Sequence, residues 1–113
     1  MDVGLRKTKA NINSAIVMAL PLLDPVFHQT VRTRVSVLLY KGGASFSQLK
    51  AALDITDGNL DAHLRKLSAA GYLHSQMVRD GRPHTLYQLS DSGTKAFRQY
   101  RDSLRLLLKQ SGK

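Results

Sequence analysis

Apolar residues recur with helical spacing along most of this chain, and one central stretch breaks the pattern with strand-like runs. The first helical stretch runs from Asn11 or Asn13 to Leu20, where Ile12, Ala15, Ile16, Ala19 and Leu20 make a broad apolar face. Pro21 ends it. That face is wider than so short a surface helix needs, which predicts burial against a second subunit. Asp24-Pro25 starts a further turn, with Asp as N-cap and Pro in the first position. Thr30 is expected to cap the next helix, whose ridge is Val31, Val35, Leu38 and Leu39 and which closes at Gly42-Gly43.

Ser45-Phe46-Ser47-Gln48 has the S-x-x-Q form of a capping box, in which hydroxyl and amide each satisfy an orphan backbone N–H. Leu49, Ala52 and Leu53 follow as the buried face of a short helix. Asp54-Ile55-Thr56 interrupts it, and Thr56 is placed to cap a second helix with Asp57 in its first turn. Leu60, Leu64 and Leu67 form one ridge of that helix, and Ala70-Gly71 stops it. The short turn between the helices fits a helix-turn-helix. Two mixed runs, 72–78 and 84–89, then flank Arg79-Asp80-Gly81-Arg82-Pro83, and Asp-Gly between such runs signals a hairpin. Thr85, Tyr87 and Leu89 are expected to face the core, with Ala44-Ser45 as a short third strand. A helix-turn-helix followed at once by a hairpin with two arginines at its tip is a winged helix. The expected class is mainly α with a small antiparallel β-wing.

Ser90-Asp91-Ser92 starts the last helix. Phe97, Tyr100, Leu104, Leu107 and Ser111 step by three and four with Leu108 beside them, which gives nearly two heptads of a packing seam. Asp102 is spaced to pair with Arg98 and Arg105. A helix projecting beyond the wing has no core of its own left to cover, so the seam predicts a dimer. The competing reading has the helix fold back on its own domain.

Leu23-Asp24-Pro25-Val26-Phe27-His28, the run 55–67 with its D-G-N-L-D-A-H-L-R-K-L, Ala70-Gly71-Tyr72-Leu73, and Tyr87-Gln88-Leu89-Ser90-Asp91-Ser92-Gly93 resemble the small stand-alone winged-helix transcriptional regulators of bacteria and archaea. These are relatives of the MarR and ArsR regulators. The resemblance covers roughly Leu23 to Leu108, and it implies a cytoplasmic, nucleoid-associated, homodimeric DNA-binding regulator. The expected organisation is a flexible basic arm over 1–10, a winged-helix DNA-binding domain with its N-terminal helix over 11–89, and a C-terminal dimerisation helix over 90–113. Ile12, Ile16, Phe97, Tyr100, Leu104, Leu107 and Leu108 are the expected dimerisation residues.

Composition narrows the partners. The 113 residues suffice for one domain with a modest core. Cysteine is absent, which excludes disulfides and thiolate metal sites. No apolar run approaches the roughly 18 residues of a membrane span, so no membrane partner is expected. Seventeen basic residues against eight acidic ones leave a net charge of +9, and a polyanion is the expected partner. Between Ser45 and Gly71 the bases Lys50, Arg65 and Lys66 are cancelled by Asp54, Asp57 and Asp61. The excess lies in the 6–9 cluster, in Arg32, Arg34 and Lys41, at the wing and in the last helix. The arm either tracks a DNA groove or simply solvates the terminus.

With Leu60, Leu64 and Leu67 turned inward, Gly58, Asn59, Ala62, Arg65 and Lys66 face outward, with Asp61 and His63 on the flanks. Asn59 has the chemistry for adenine N6/N7 and Arg65 for guanine O6/N7, while Gly58 and Ala62 allow close entry into a groove. Arg79 and Arg82 suit the narrow minor groove or the backbone. The plainer reading is a solvated polar face. His28, His63, His74 and His84 have no partner at ligand spacing, and no nucleophile–base pattern is present, so neither metal, cofactor nor enzymatic activity is expected. An effector would have to bind between the wing domain and the dimer helices. The expected function is sequence-specific recognition of double-stranded DNA by a homodimer; the alternative is a winged helix used as a protein-interaction module in a larger assembly.

Overall fold

The computed structural model describes residues 23–111, so the basic arm and the helix bearing Ile12 and Ile16 lie outside the described residues. The Asp24 carboxylate accepts the Val26 N–H at 3.0 Å, Pro25 follows, and a single 3-10 turn forms over Pro25–Phe27. Helix α1, Thr30–Lys41, starts differently from expectation. Its cap is Gln29, whose side-chain oxygen accepts the Arg32 N–H at 2.9 Å, while Thr30 is already helical. Gln29 has an extended backbone, and its longer amide reaches the donor that a Thr30 hydroxyl would otherwise serve.

Strand β1, Ala44–Ser45, leads directly into α2, Phe46–Leu53. Both halves of the capping box are present: Ser45 Oγ accepts the Gln48 N–H at 3.1 Å and Gln48 Oε1 accepts the Ser45 N–H at 2.9 Å. Leu49 and Leu53 are buried, whereas Ala52 is exposed. A helix of 8 residues touches the core along one narrow ridge, and Ala52 lies off it. Asp54 closes α2 in the left-handed region (φ 54°), a conformation that Asp tolerates. After Ile55 and Thr56 the chain enters α3, Asp57–Ala69, capped by Thr56 Oγ1 on the Asn59 N–H at 3.2 Å. Gly71 follows α3 at φ +80° and lets Tyr72 N–H return to Leu67 O at 2.9 Å.

Strands β2, Leu73–Val78, and β3, His84–Leu89, pair antiparallel from Leu73↔Leu89 to Val78↔His84. β1 adds to the other edge of β3 with Ala44↔Tyr87 and Ser45↔Leu86, giving the order β1-β3-β2. Helix α4, Asp91–Ser111, completes four helices and a three-stranded sheet among the described residues, an α+β winged helix. No helix among the described residues is long and apolar enough to cross a membrane.

Leu60, Leu64 and Leu67 of α3 meet Val35 and Leu39 of α1, Leu49 and Leu53 of α2, and Leu89 in one core. Phe27 is its aromatic hub, stacked on Tyr72 with centroids 5.2 Å apart and edge-on to Phe97 at 5.2 Å. That placement corrects the reading of the last helix. Phe97 and Tyr100, expected in a dimer seam, are each 6 % exposed and belong to the core of their own chain. Leu104 packs against the same core and is partly buried. The 3-10 turn opens an aromatic slot beside α4, so the helix does have a core to cover. Leu107 is half-buried, and Leu106 and Leu108 are 47 % and 60 % exposed, so only the distal turns present leucine outward. Asp102 pairs with Arg101 at 3.0 Å and Arg105 at 3.8 Å, while Arg98 turns to the Tyr40 hydroxyl at 3.4 Å. The expected Arg98–Asp102 pair is therefore absent; an aromatic hydroxyl outcompetes it from α1.

The start of α4 is clasped to the end of α3. Ser90 Oγ donates to Gly71 O at 2.7 Å, Ser92 Oγ to the same carbonyl at 2.9 Å, and Ser90 N–H to Tyr72 O at 2.9 Å. Gly93 lies so close that a Cβ there would sit 2.2 Å from Tyr72 O.

Candidate nucleic-acid interface

Burying the leucine ridge of α3 determines what the helix shows to solvent. Gly58, Asn59, Ala62, Arg65 and Lys66 are all exposed. The structure brings these five onto one surface as the helical count requires. The Asn59 side chain makes no hydrogen bond among the described residues, although its backbone N–H is taken by Thr56. Arg65 is held from the adjacent turn, Nε to Asp61 Oδ2 at 2.9 Å. With side chains 80 % and 53 % exposed, this pair adds little stability. What it does is orient the guanidinium, leaving both terminal nitrogens free to donate as a fork. Lys50 and Asp57 pair at 2.7 Å and tie α2 to the first turn of α3, neutralising charge at the helix entrance.

The flank of α3 facing α1 holds a contact that neither residue announces alone. Arg32 Nε donates to Val26 O at 2.7 Å, and Arg32 Nη1 lies 3.2 Å from His63 Nδ1. A guanidinium only donates, so His63 Nδ1 must accept and the ring is neutral with its proton on Nε2. Burial lowers the His63 pKa below its usual value, and the charges of Arg32 and Lys66 lower it further. A depressed base binds fewer protons folded than unfolded, so this contact adds stability above about pH 6.5 and loses it as pH falls from there. His63 stood on the flank of the helical count and Arg32 in the basic excess, but nothing in the sequence joined them across 31 positions.

At the wing, Arg79 and Arg82 are exposed and make no ion pair among the described residues. Gly81 takes φ +80° in the turn between them, and His84 Nδ1 donates to Arg82 O at 2.8 Å, fixing the return of the loop. β2 carries Met77, exposed, toward the same tip. Below the wing, a concavity of about 410 Å³ opens between the 3-10 turn and α4, lined by Leu23, Asp24, Tyr72, Gln99 and Tyr100. There Tyr72 OH donates to Asp24 Oδ2 at 2.6 Å, and that hydrogen bond raises the tyrosine pKa ahead of burial.

Residues 31–108 match the family described as winged helix DNA-binding domain. The chain belongs to that family. The matched span runs from the first turn of α1 into the distal part of α4, so it includes the exposed α3 face and the wing. Over 77 residues the chain is 36% identical to the uncharacterized protein MJ0432 of Methanocaldococcus jannaschii, spanning 66% of this chain and 84% of that one. Its fold is similar to that of a transcriptional regulator homologue from Pyrococcus horikoshii, with TM-score 0.73, 28% identity and coverage of 80% and 91%. It is also similar in fold to a putative MarR-family regulator of Enterococcus faecalis, with TM-score 0.62, 24% identity and coverage of 87% and 83%. This winged helix therefore has the fold of transcriptional regulators.

Proposed function

We propose that the protein regulates transcription by binding a specific site on double-stranded DNA as a homodimer. In this reading α3 enters the major groove, and Arg79 and Arg82 lie along the minor groove or the backbone. The observation that carries it is the outward face of α3, where two small residues flank an unengaged Asn59 and an Arg65 already held in orientation by Asp61. An exposed helix face serving protein contact alone would be expected to be apolar or acidic, and this one is neither. Leu107, on the seam of α4 and only half-buried in its own chain, supports pairing of two copies, and two-fold symmetry predicts inverted half-sites one or two helical turns apart.

Fluorescence anisotropy on one selected and one random duplex, across a salt series, tests the reading. Asn59→Ala is expected to cost about 1–3 kcal/mol on the selected duplex and much less on the random one. Arg82→Ala is expected to weaken both and to make the slope of log affinity against log salt shallower by about one unit. Equal losses for Asn59→Ala on both duplexes, or an unchanged slope for Arg82→Ala, would overturn the assignment of α3 to sequence and wing to backbone. Failure of the wild type to retain either duplex would overturn the function.

A further inference from the structure

The contact between Arg32 and His63 holds a guanidinium in place with no acid as its partner among the described residues. Arg32 stands in the first turn of α1, where a cation opposes the helix dipole and where no acid accompanies it. Among the described residues neither Arg32 nor His63 is paired with a carboxylate. Instead the guanidinium is held by two uncharged acceptors, Val26 O and His63 Nδ1. Lys66 acts on the same histidine by its charge. Two cations thus converge on one flank of α3 without a counter-charge among the described residues, at the edge of the surface formed by Asn59 and Lys66. A fixed, half-buried guanidinium short of negative charge is suited to an anionic oxygen arriving from outside.

Building on the function proposed above, we infer that Arg32 is a further DNA-contact residue, gripping together with Lys66 a backbone phosphate beside the groove that α3 enters. His63 is its positioning residue. The neutral ring accepts from Nη1, Val26 O accepts from Nε, and the guanidinium edge left over donates to the phosphate. The interface then extends from α3 to the start of α1, and the near-neutral charge of the helix-turn-helix itself is supplemented from outside it.

Two variants separate this from a purely structural staple. Arg32→Gln removes the charge, and in protein shown by circular dichroism to be folded it is expected to weaken the selected and random duplexes by the same factor. Its salt slope should become shallower by about one unit. His63→Phe removes the acceptor and should weaken both duplexes, whereas His63→Asn, whose amide oxygen can stand near the Nδ1 position, should restore most of the binding. A structural staple would lower the melting temperature without moving the salt slope. Wild-type protein supplies two checks that need no variant. Its His63 ring should show an unprotonated Nδ1 and a protonated Nε2 by nitrogen NMR at neutral pH. A methylphosphonate scan of the selected duplex should reveal a phosphate whose neutralisation weakens wild type but not folded Arg32→Gln. An unchanged slope for Arg32→Gln, a protonated Nδ1, or no such phosphate would overturn the inference. If Asn59→Ala and Arg82→Ala still behave as stated, the function survives that failure; if wild type binds neither duplex, both fall.

Discussion

The two halves of α4 share one apolar stripe and put it to different uses. In the proximal half, Phe97 and Tyr100 are buried against Phe27 and Tyr40 of their own chain. In the distal half, Leu107 on the stripe is only half-buried and Leu108 beside it is exposed. The spacing of threes and fours does not change between them. What changes is the neighbour: the 3-10 turn and α1 lie beside the first turns and are no longer alongside the last. A periodic stripe therefore reports that a helix has a face to bury, while the surrounding chain decides against what.

The largest effect that could break this comparison is expected in the proximal half. Phe97→Ala empties a slot between Phe27 and Tyr40 and should cost about 3–5 kcal/mol. Urea unfolding should show that loss to the same extent at every protein concentration. A loss that grows on dilution would place Phe97 in the interface between copies after all. The intermediate effect belongs to the distal half. Leu107→Asp should lower the sedimenting mass toward that of a monomer at micromolar concentration while leaving the far-ultraviolet dichroism of the fold intact. Leu107 is a cleaner probe than Leu104, which touches the intramolecular core. A monomeric wild type, or a mutant dimer as stable as wild type, would remove the distinction between the halves. The smallest effect is expected at the junction, where Arg98 and Arg101 donate to the Tyr40 hydroxyl at 3.4 Å each. Tyr40→Phe keeps the ring against Phe97 and loses only these long bonds. Its melting curve should overlay that of wild type; a clear drop would mean that the junction contributes to holding the proximal half in place.

The same contrast marks what could be read from the sequence. The Ser45/Gln48 box, the Thr56 cap, the leucine ridge of α3 and the Asp80-Gly81 turn are local signals, each completed within a few residues, and the structure keeps all of them. The exposed set on α3 follows from the ridge by geometry alone. Non-local choices were not legible. Nothing near Phe97 announces that Phe27, seventy positions earlier, will meet it edge-on. Arg98 had an acid at the right helical spacing and took Tyr40 instead. Gln29 displaced Thr30 as a cap because the chain arrives extended from the 3-10 turn. The Arg32–His63 contact joins residues that each looked ordinary alone.

The clasp between α3 and α4 has a mechanical consequence. Gly71 O receives both Ser90 and Ser92, and the Gly93 backbone rests against Tyr72 with no room for a side chain. A joint so closely fitted offers little freedom to swivel, so the direction of the last helix is geared to that of α3. If, as proposed, two copies meet through their last helices, each joint would carry the angle of that meeting directly to the helix at the other end. The proposed pair would then behave as a caliper with a set gap. One added base pair turns the far half-site by about 35° around the duplex axis, and a caliper without a loose pivot cannot follow it.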